Sequence, residues 1–215
     1  MCSIEKKTQL TKRIIDLSYK HKLGHIGSCL SVVSILRDIY EFKDDMDLVV
    51  LSPGHMALAW YIVLEDVYGY DAEKLLLKHG GHPNRDIEFG LTCSAGSLGL
   101  AASIAVGMAI AEPTKKVYCV VSDGECAEGI IWEALRFTTD SKLDNLEWHV
   151  IMNGWSASKE VDTEVLSKRL LCFNPDIKLH LVNSDIFDVS SGVDAHCHIL
   201  NESEYKHILE KLECK

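Results

Sequence analysis

The chain has 215 residues, 47% of them hydrophobic, enough to bury one sizeable core. Its formal net charge of −10 argues against a nucleic-acid or anionic-membrane partner, whose phosphates want clustered Lys and Arg. No window reaches the roughly 18 apolar residues of a bilayer span. The N-terminal "MCSIEKKTQLTKR" has no apolar signal core and the cysteines show no C-x-x-C spacing, so a cytoplasmic protein with reduced thiols is expected.

Apolar positions over residues 4–20 recur at helical spacing. "GHIGS" at 24–28 interrupts with two glycines, and a helical period resumes through residue 42. "DLVVLS" at 47–52 is short, β-branched and bounded by turn residues, which predicts a buried strand. "GHMALAWYIVLEDVYG" predicts a buried helix, followed by a shorter one from Ala72 to Lys78. Residues 78–97 are Gly-rich and aperiodic, and loops of that length inside a compact unit are commonly functional. "LGLAASIAVGMAIAE" at 98–112 predicts a helix of small residues suited to close packing. A strand over 115–122, a helix from Glu128 to Thr139 and a strand over 146–153 follow. Weaker patterns predict a helix over 162–173, a strand over 178–183, a last strand in "VDAHCHIL" and a closing helix in "ESEYKHILEKL". Strands alternating with helices give an α/β fold, a parallel sheet with helices on both faces, in one domain over residues 1–215.

In such sheets ligands bind at the carboxyl ends of the strands. "VVSDGECAEGIIWEAL" (120–135) lies at one such end and "MNGW" (152–155) at the next, so Asp123 and Asn153 are one strand-helix-strand unit apart and can converge. A carboxylate and an amide oxygen are hard ligands of the kind Mg²⁺ or Ca²⁺ selects. Gly124 lets the backbone approach closely, and a helix starting near Glu128 directs free N–H groups toward an anion, an arrangement suited to a metal-bound diphosphate. His196 and His198, two apart in the expected last strand, would share a face and could hold a metal. Cys126, beside the motif, is expected to have a structural or bystander role rather than a reactive one.

"SDGECAEGIIWEALRF", with "KLDNL" and "MNG" after it, resembles the thiamine-diphosphate motif of transketolases, usually Gly-Asp-Gly, then Glu-Gly and Trp-Glu-Ala, then Asn. "GHIGSCLS", "LSPGHMALAWY" and "GGHPNRDIEFGLTCSAGSLG" resemble the same family's three histidine loops, in the same order. The resemblance covers about residues 11–156, and residues 157–215 diverge. It implies thiamine diphosphate with Mg²⁺ or Ca²⁺ as cofactors. Asp123, Asn153 and the carbonyl of Trp155 would be metal ligands. Gly124, Glu125 and the turn of Gly96, Ser97 and Leu98 would lie with the cofactor. His25, His55, His82 and Ser28 would line the substrate channel, where imidazoles can exchange protons or bond sugar hydroxyls. Glu128 and Glu133 match glutamates at the subunit boundary that couple neighbouring active sites, Glu128 counting also as catalytic.

Transketolases also carry a pyrimidine-binding domain whose glutamate activates the cofactor, and no residue here matches it. The resemblance therefore implies one chain of a split transketolase that moves a two-carbon ketol unit from a ketose to an aldehyde. It would be active only with a C-terminal chain, in an α2β2 assembly. Ser122 in place of the first glycine of the motif, Pro53 in place of a lysine and Leu100-Ala101 in place of Gln-Gly depart from the family pattern. They leave open a specialised sugar or sugar-derivative substrate. Decarboxylative acyloin formation of the deoxyxylulose-phosphate synthase type and a non-catalytic scaffold are the alternatives.

Overall fold

A computed structural model describes residues 2–213. The chain divides into two compact units, each discontinuous in sequence. One contains residues 42–54 and 82–182; the other contains residues up to 41, 55–81 and those from 183 onward.

The first unit is built on a four-stranded parallel sheet in the order β1 (Leu48–Leu51), β2 (Val117–Ser122), β3 (Leu146–Met152) and β4 (Lys178–Leu181). Val50 pairs with Cys119, Val120 with His149 and Val150 with Leu179, so every strand is followed by its neighbour through a crossover. All six residues of β2 are buried, the pattern of a strand covered on both faces. Val117, Cys119 and Val121 on one face pack with Ala101, Ala105 and Ala109 of α5 (Leu100–Ala111). Alanines along that stripe let the helix backbone come close to the sheet, as its small-residue sequence predicts. Ile131 and Leu135 of α6 (Gly129–Asp140) and Leu166 and Leu170 of α7 (Thr163–Phe173) complete this core around Trp148. The Asn145 amide donates to the carbonyls of Ala109, Glu112 and Lys115 (3.0, 3.3 and 3.0 Å), which satisfies the end of α5 and fixes its turn into β2.

The second unit is helical: α1 (Ile4–His21), α2 (Ile26–Phe42), α3 (Ala57–Tyr68), α4 (Ala72–His79), α8 (Asp194–Cys197) and α9 (Glu202–Glu213). Ile14, Leu36, Trp60 and Tyr61 are fully buried, and the one polar edge of Trp60 is satisfied by donating to the Tyr40 hydroxyl at 2.7 Å. Arg13 grips Glu65 through two nitrogens (2.8 and 2.9 Å), and Glu65 also accepts the Ala72 N–H at 3.0 Å, so one carboxylate ties α1 to the α3–α4 turn. Tyr205 of α9 stacks on Tyr19 of α1 at 4.2 Å and donates to Asp16 at 2.8 Å. Among the described residues no helix is long and apolar enough to cross a membrane.

Three expectations need correction. "VDAHCHIL" is not a strand: Asp194–Cys197 form a single helical turn. The His196 carbonyl accepts the His25 N–H at 2.9 Å, a tertiary bond that replaces any ladder. The second helix begins at Ile26, not after Ser28, because Gly27 is there for proximity: a Cβ on it would sit 2.2 Å from the Ser184 carbonyl oxygen. The helix expected from Glu128 is preceded by a 3₁₀ turn, Gly124–Ala127, so Glu128 is its N-cap residue.

Candidate functional site

Asp123 ends the β2 ladder, its N–H still donating to the Ile151 carbonyl at 2.9 Å. The chain then tightens into the 3₁₀ turn, and the carboxylate, only 2% exposed, is left facing the loop after β3. One of its oxygens accepts the Gly124 N–H (2.9 Å), the other the Gly154 N–H (2.7 Å). Asn153, one residue earlier in that loop, accepts the Trp155 N–H at 2.9 Å through its side-chain oxygen. A Cβ built on Gly124 would lie 3.3 Å from Ser156 Cα and 3.7 Å from the Trp155 carbonyl oxygen. Any larger residue at position 124 would fill this cradle. Asp123, Asn153 and the 154–156 backbone are thus one constellation, as the strand spacing predicts.

Its electrostatics fit a bound cation. Among the described residues the hydrogen-bond partners of Asp123 are backbone N–H groups, and burial raises its pKa from 3.8 to about 6. A buried carboxylate in that condition is stabilised by a metal ion held against it. Among the described residues no group of three or more His, Cys, Asp or Glu side chains forms a metal cluster. The donor set is instead one carboxylate, one amide and one carbonyl, the hard oxygens that suit Mg²⁺ or Ca²⁺. The sign of the pH dependence follows. Asp123 binds its proton more tightly folded than unfolded, so its contribution is greatest below pH 4 and falls away as pH rises to about 6. The loss is about 3 kcal/mol. Thermal melts of the metal-free chain are expected to show falling stability between pH 4 and 7, and added Mg²⁺ with thiamine diphosphate to flatten that slope.

Glu125 is 1% exposed and is a strut inside the turn. Its carboxylate accepts from the Ser52 hydroxyl (2.8 Å), the Gly99 N–H (2.8 Å) and the Ser122 N–H (3.1 Å). Gly99 has φ +79°, the left-handed region that favours glycine, and its bond to Glu125 anchors the turn of Gly96, Ser97 and Leu98. Those three residues are exposed, and His82 lies beside them, its ring carbon 3.8 Å from where a Gly96 Cβ would be. Ser122, the departure from Gly-Asp-Gly, is buried, and its hydroxyl accepts the Glu125 N–H at 3.3 Å. The extra side chain is used to brace the turn. Glu128 and Glu133 are exposed. Cys126 is buried and its thiol pKa is pushed up by that burial, which suits a structural residue.

In the helical unit, His25 and His55 come together with ring centroids 5.0 Å apart. Ser28, in the first turn of α2, is buried, and its carbonyl accepts the Ser31 hydroxyl at 2.7 Å. The structure adds a third imidazole, His196, 4.4 Å from His25 and 5.5 Å from His55. His196 and His198 do not share a face as the strand reading required: His198 pairs with Glu204 at 3.1 Å. Sequence reasoning missed the association of His196 with His25 because the two lie at opposite ends of the chain, with no motif joining them.

A family model for the transketolase thiamine diphosphate binding domain matches residues 8–168. The chain is 33% identical over 156 residues to one of the subunits of an apulose-4-phosphate transketolase from Phocaeicola vulgatus, a match covering 63% of this chain and 55% of that protein. It is 34% identical over 146 residues to a 6-deoxy-6-sulfo-D-fructose transketolase subunit from a Clostridium species, covering 58% and 52%. These matches span about half the length of those curated relatives. Among solved structures, transketolase from Leishmania mexicana superposes with a TM-score of 0.72 over 99% of this chain and 42% of that one, at 21% identity, a likeness of fold. The matched segment carries the Asp123–Asn153 constellation, the glycine turn and all three histidine loops, and the chain belongs to the transketolase thiamine diphosphate binding domain family.

Proposed function

We propose that this chain is the diphosphate-binding subunit of a two-chain transketolase that transfers a two-carbon ketol unit from a ketose to an aldehyde. The observation that carries the reading is the buried Asp123 carboxylate, without a cationic partner among the described residues, bonded into the Asn153 loop over the Gly124 cradle. Family membership supports it, as do relatives named as separate subunits. Asp123, Asn153 and the Trp155 carbonyl hold the divalent ion, Mg²⁺ by the chemistry of the donors, with Ca²⁺ suited to the same set. Gly124 leaves room for the diphosphate, and Gly96, Ser97 and Leu98 pack against the cofactor. Glu125 keeps that turn in place from beneath.

When bound, thiamine diphosphate supplies the nucleophilic carbon and the electron sink that carbon–carbon cleavage needs. The residues of this chain orient and exchange protons. His25, His55 and His82 bond the sugar hydroxyls and move protons to and from the oxygens of donor and acceptor, and Ser28 helps to seat the donor. Glu128 and Glu133, both exposed, face the subunit boundary. A separate chain carries the pyrimidine-binding half, the complex is α2β2, and the work is done in the cytoplasm on a small sugar or sugar derivative.

Co-expression with a pyrimidine-domain transketolase chain provides the test. The purified pair is expected to transfer a ketol unit in the presence of thiamine diphosphate and Mg²⁺, and neither chain alone to turn over. Full activity from this chain alone would overturn the half-site reading. Carbon dioxide released from pyruvate and an aldehyde would move the assignment to decarboxylative acyloin formation. A pair that binds no thiamine diphosphate would be a scaffold.

A further inference from the structure

The site above occupies the edge of the sheet where the parallel strands end. At the opposite edge of the first unit, where β3 and β4 begin, a cavity of about 460 Å³ opens between the end of α6 and the turn after α7. The seven residues of β3 put it about 20 Å from the Asp123 loop. That volume is of the size that takes a small organic ligand. Leu143, Leu146 and Pro175 give it apolar walls, and Trp148 lies at its floor.

The lining holds donors that the protein itself does not use. Trp148 is 1% exposed, and its indole N–H has no acceptor among the described residues. Buried donors without an acceptor are rare in folded proteins, and a ligand oxygen would complete this one. Asn174 accepts the Asp176 N–H through its side-chain oxygen at 2.9 Å, while its NH₂ group makes no bond among the described residues. Lys142 stands just past the end of α6 at φ +51°, its N–H donating to the Thr139 carbonyl at 3.2 Å, where a helix ordinarily takes glycine. A lysine there bears a conformational cost that glycine avoids, and it brings an ammonium group to the cavity.

The charges of the lining come in both signs. Lys142 and Lys178 are cations, Asp144 and Asp176 anions, and among the described residues none of the four is in an ion pair. The remaining carboxylate, Glu147, is already engaged by Lys116 at 2.7 Å and His149 at 2.9 Å. A ligand carrying only negative charge would meet the two aspartates, and one carrying only positive charge the two lysines. A zwitterion complements all four.

We propose that this cavity binds a free amino acid with an apolar side chain. Its carboxylate accepts from Lys142, Lys178 and the Trp148 N–H, its ammonium donates to Asp144 and Asp176, and its side chain lies against Leu143, Leu146 and Pro175. The test is nitrogen-15 NMR of the indole N–H groups in the full chain, titrated with L-leucine and with L-phenylalanine. The Trp148 signal is expected to move and saturate, while that of Trp60, already bonded to Tyr40, stays in place. Isocaproate and isoamylamine, which lack the ammonium and the carboxylate of leucine respectively, are each expected to bind about tenfold more weakly, the loss of one charged contact. Lys142→Gly relieves the left-handed turn at an exposed position, so it is expected to melt no lower than wild type and yet to bind L-leucine about tenfold more weakly. A Trp148 signal that moves with neither amino acid would overturn the proposal. So would isocaproate binding as tightly as L-leucine, or Lys142→Gly binding L-leucine as tightly as wild type. None of these readouts involves ketol transfer, so they stand or fall apart from the transketolase reading.

Discussion

Replacing Asp123 by Asn is expected to weaken thiamine diphosphate binding in the presence of Mg²⁺ by at least about 100-fold, read by calorimetry on the proposed two-chain assembly. Removing one partner of a buried charge pair typically costs about 3–5 kcal/mol, and every 1.4 kcal/mol is about tenfold in affinity. Asp123 fits that case because it is 2% exposed and, among the described residues, its bonds are to backbone N–H groups. Asn preserves the volume, so the Gly124 cradle should stay open and the protein should stay folded. It also replaces one acceptor by a donor, in a place where the two carboxylate oxygens accept from Gly124 and Gly154. One of those N–H groups therefore meets an N–H, and the loop after β3 is expected to loosen. Unchanged affinity in this variant would mean that the metal is held elsewhere.

Glu125→Ala is expected to have the largest effect on stability itself, lowering the melting temperature by about 10 °C. The carboxylate accepts from Ser52, Gly99 and Ser122 inside the protein, and Ala would leave three buried donors without an acceptor. Each such orphan costs about 1–3 kcal/mol before relaxation, and in a chain of this size about 1 kcal/mol moves the midpoint by about 2–4 °C. Water entering the void will soften the loss, and for that reason the expected shift is at the lower end of the sum. Glu125→Gln, which keeps one acceptor and the volume, should lose less. Freed from its anchor at Gly99, the Gly96–Leu98 turn should loosen in Glu125→Ala, and cofactor affinity should fall alongside stability. A variant as stable as wild type would show that these hydrogen bonds add nothing over solvation by water.

Much of this protein is written in local pattern. The β-branched runs at residues 48–51 and 117–122 and the alanine stripe at 101–109 specify a buried parallel sheet with a closely packed helix, and the structure has both. The spacing of Asp123 and Asn153 announces that their loops meet, since consecutive parallel strands end at the same edge. What spacing could not say is what each polar group bonds to. Glu125 sits in a motif that reads as cofactor contact, yet its carboxylate is taken up by a serine and two backbone amides. Ser122 reads as a departure from the motif's first glycine, and its hydroxyl is a brace.

The tail shows where sequence reasoning gave way, and why. "VDAHCHIL" alternates like a strand, but secondary structure in a short segment is decided by whatever partners the fold offers. Here the partner is the His25 N–H, which lies at the far end of the chain and takes the carbonyl a strand would have used. Gly24 and Gly27 look like helix breakers for the same reason: a sequence displays the missing side chain and not the backbone that needs the space. The sequence alone determined the parallel sheet, its ligand-bearing edge and the chemistry of the oxygen donors, because these follow from residue type and short-range period. Only the tertiary structure decided which imidazoles gather and which carboxylate bears the turn, because those choices depend on contacts between residues that no periodicity connects.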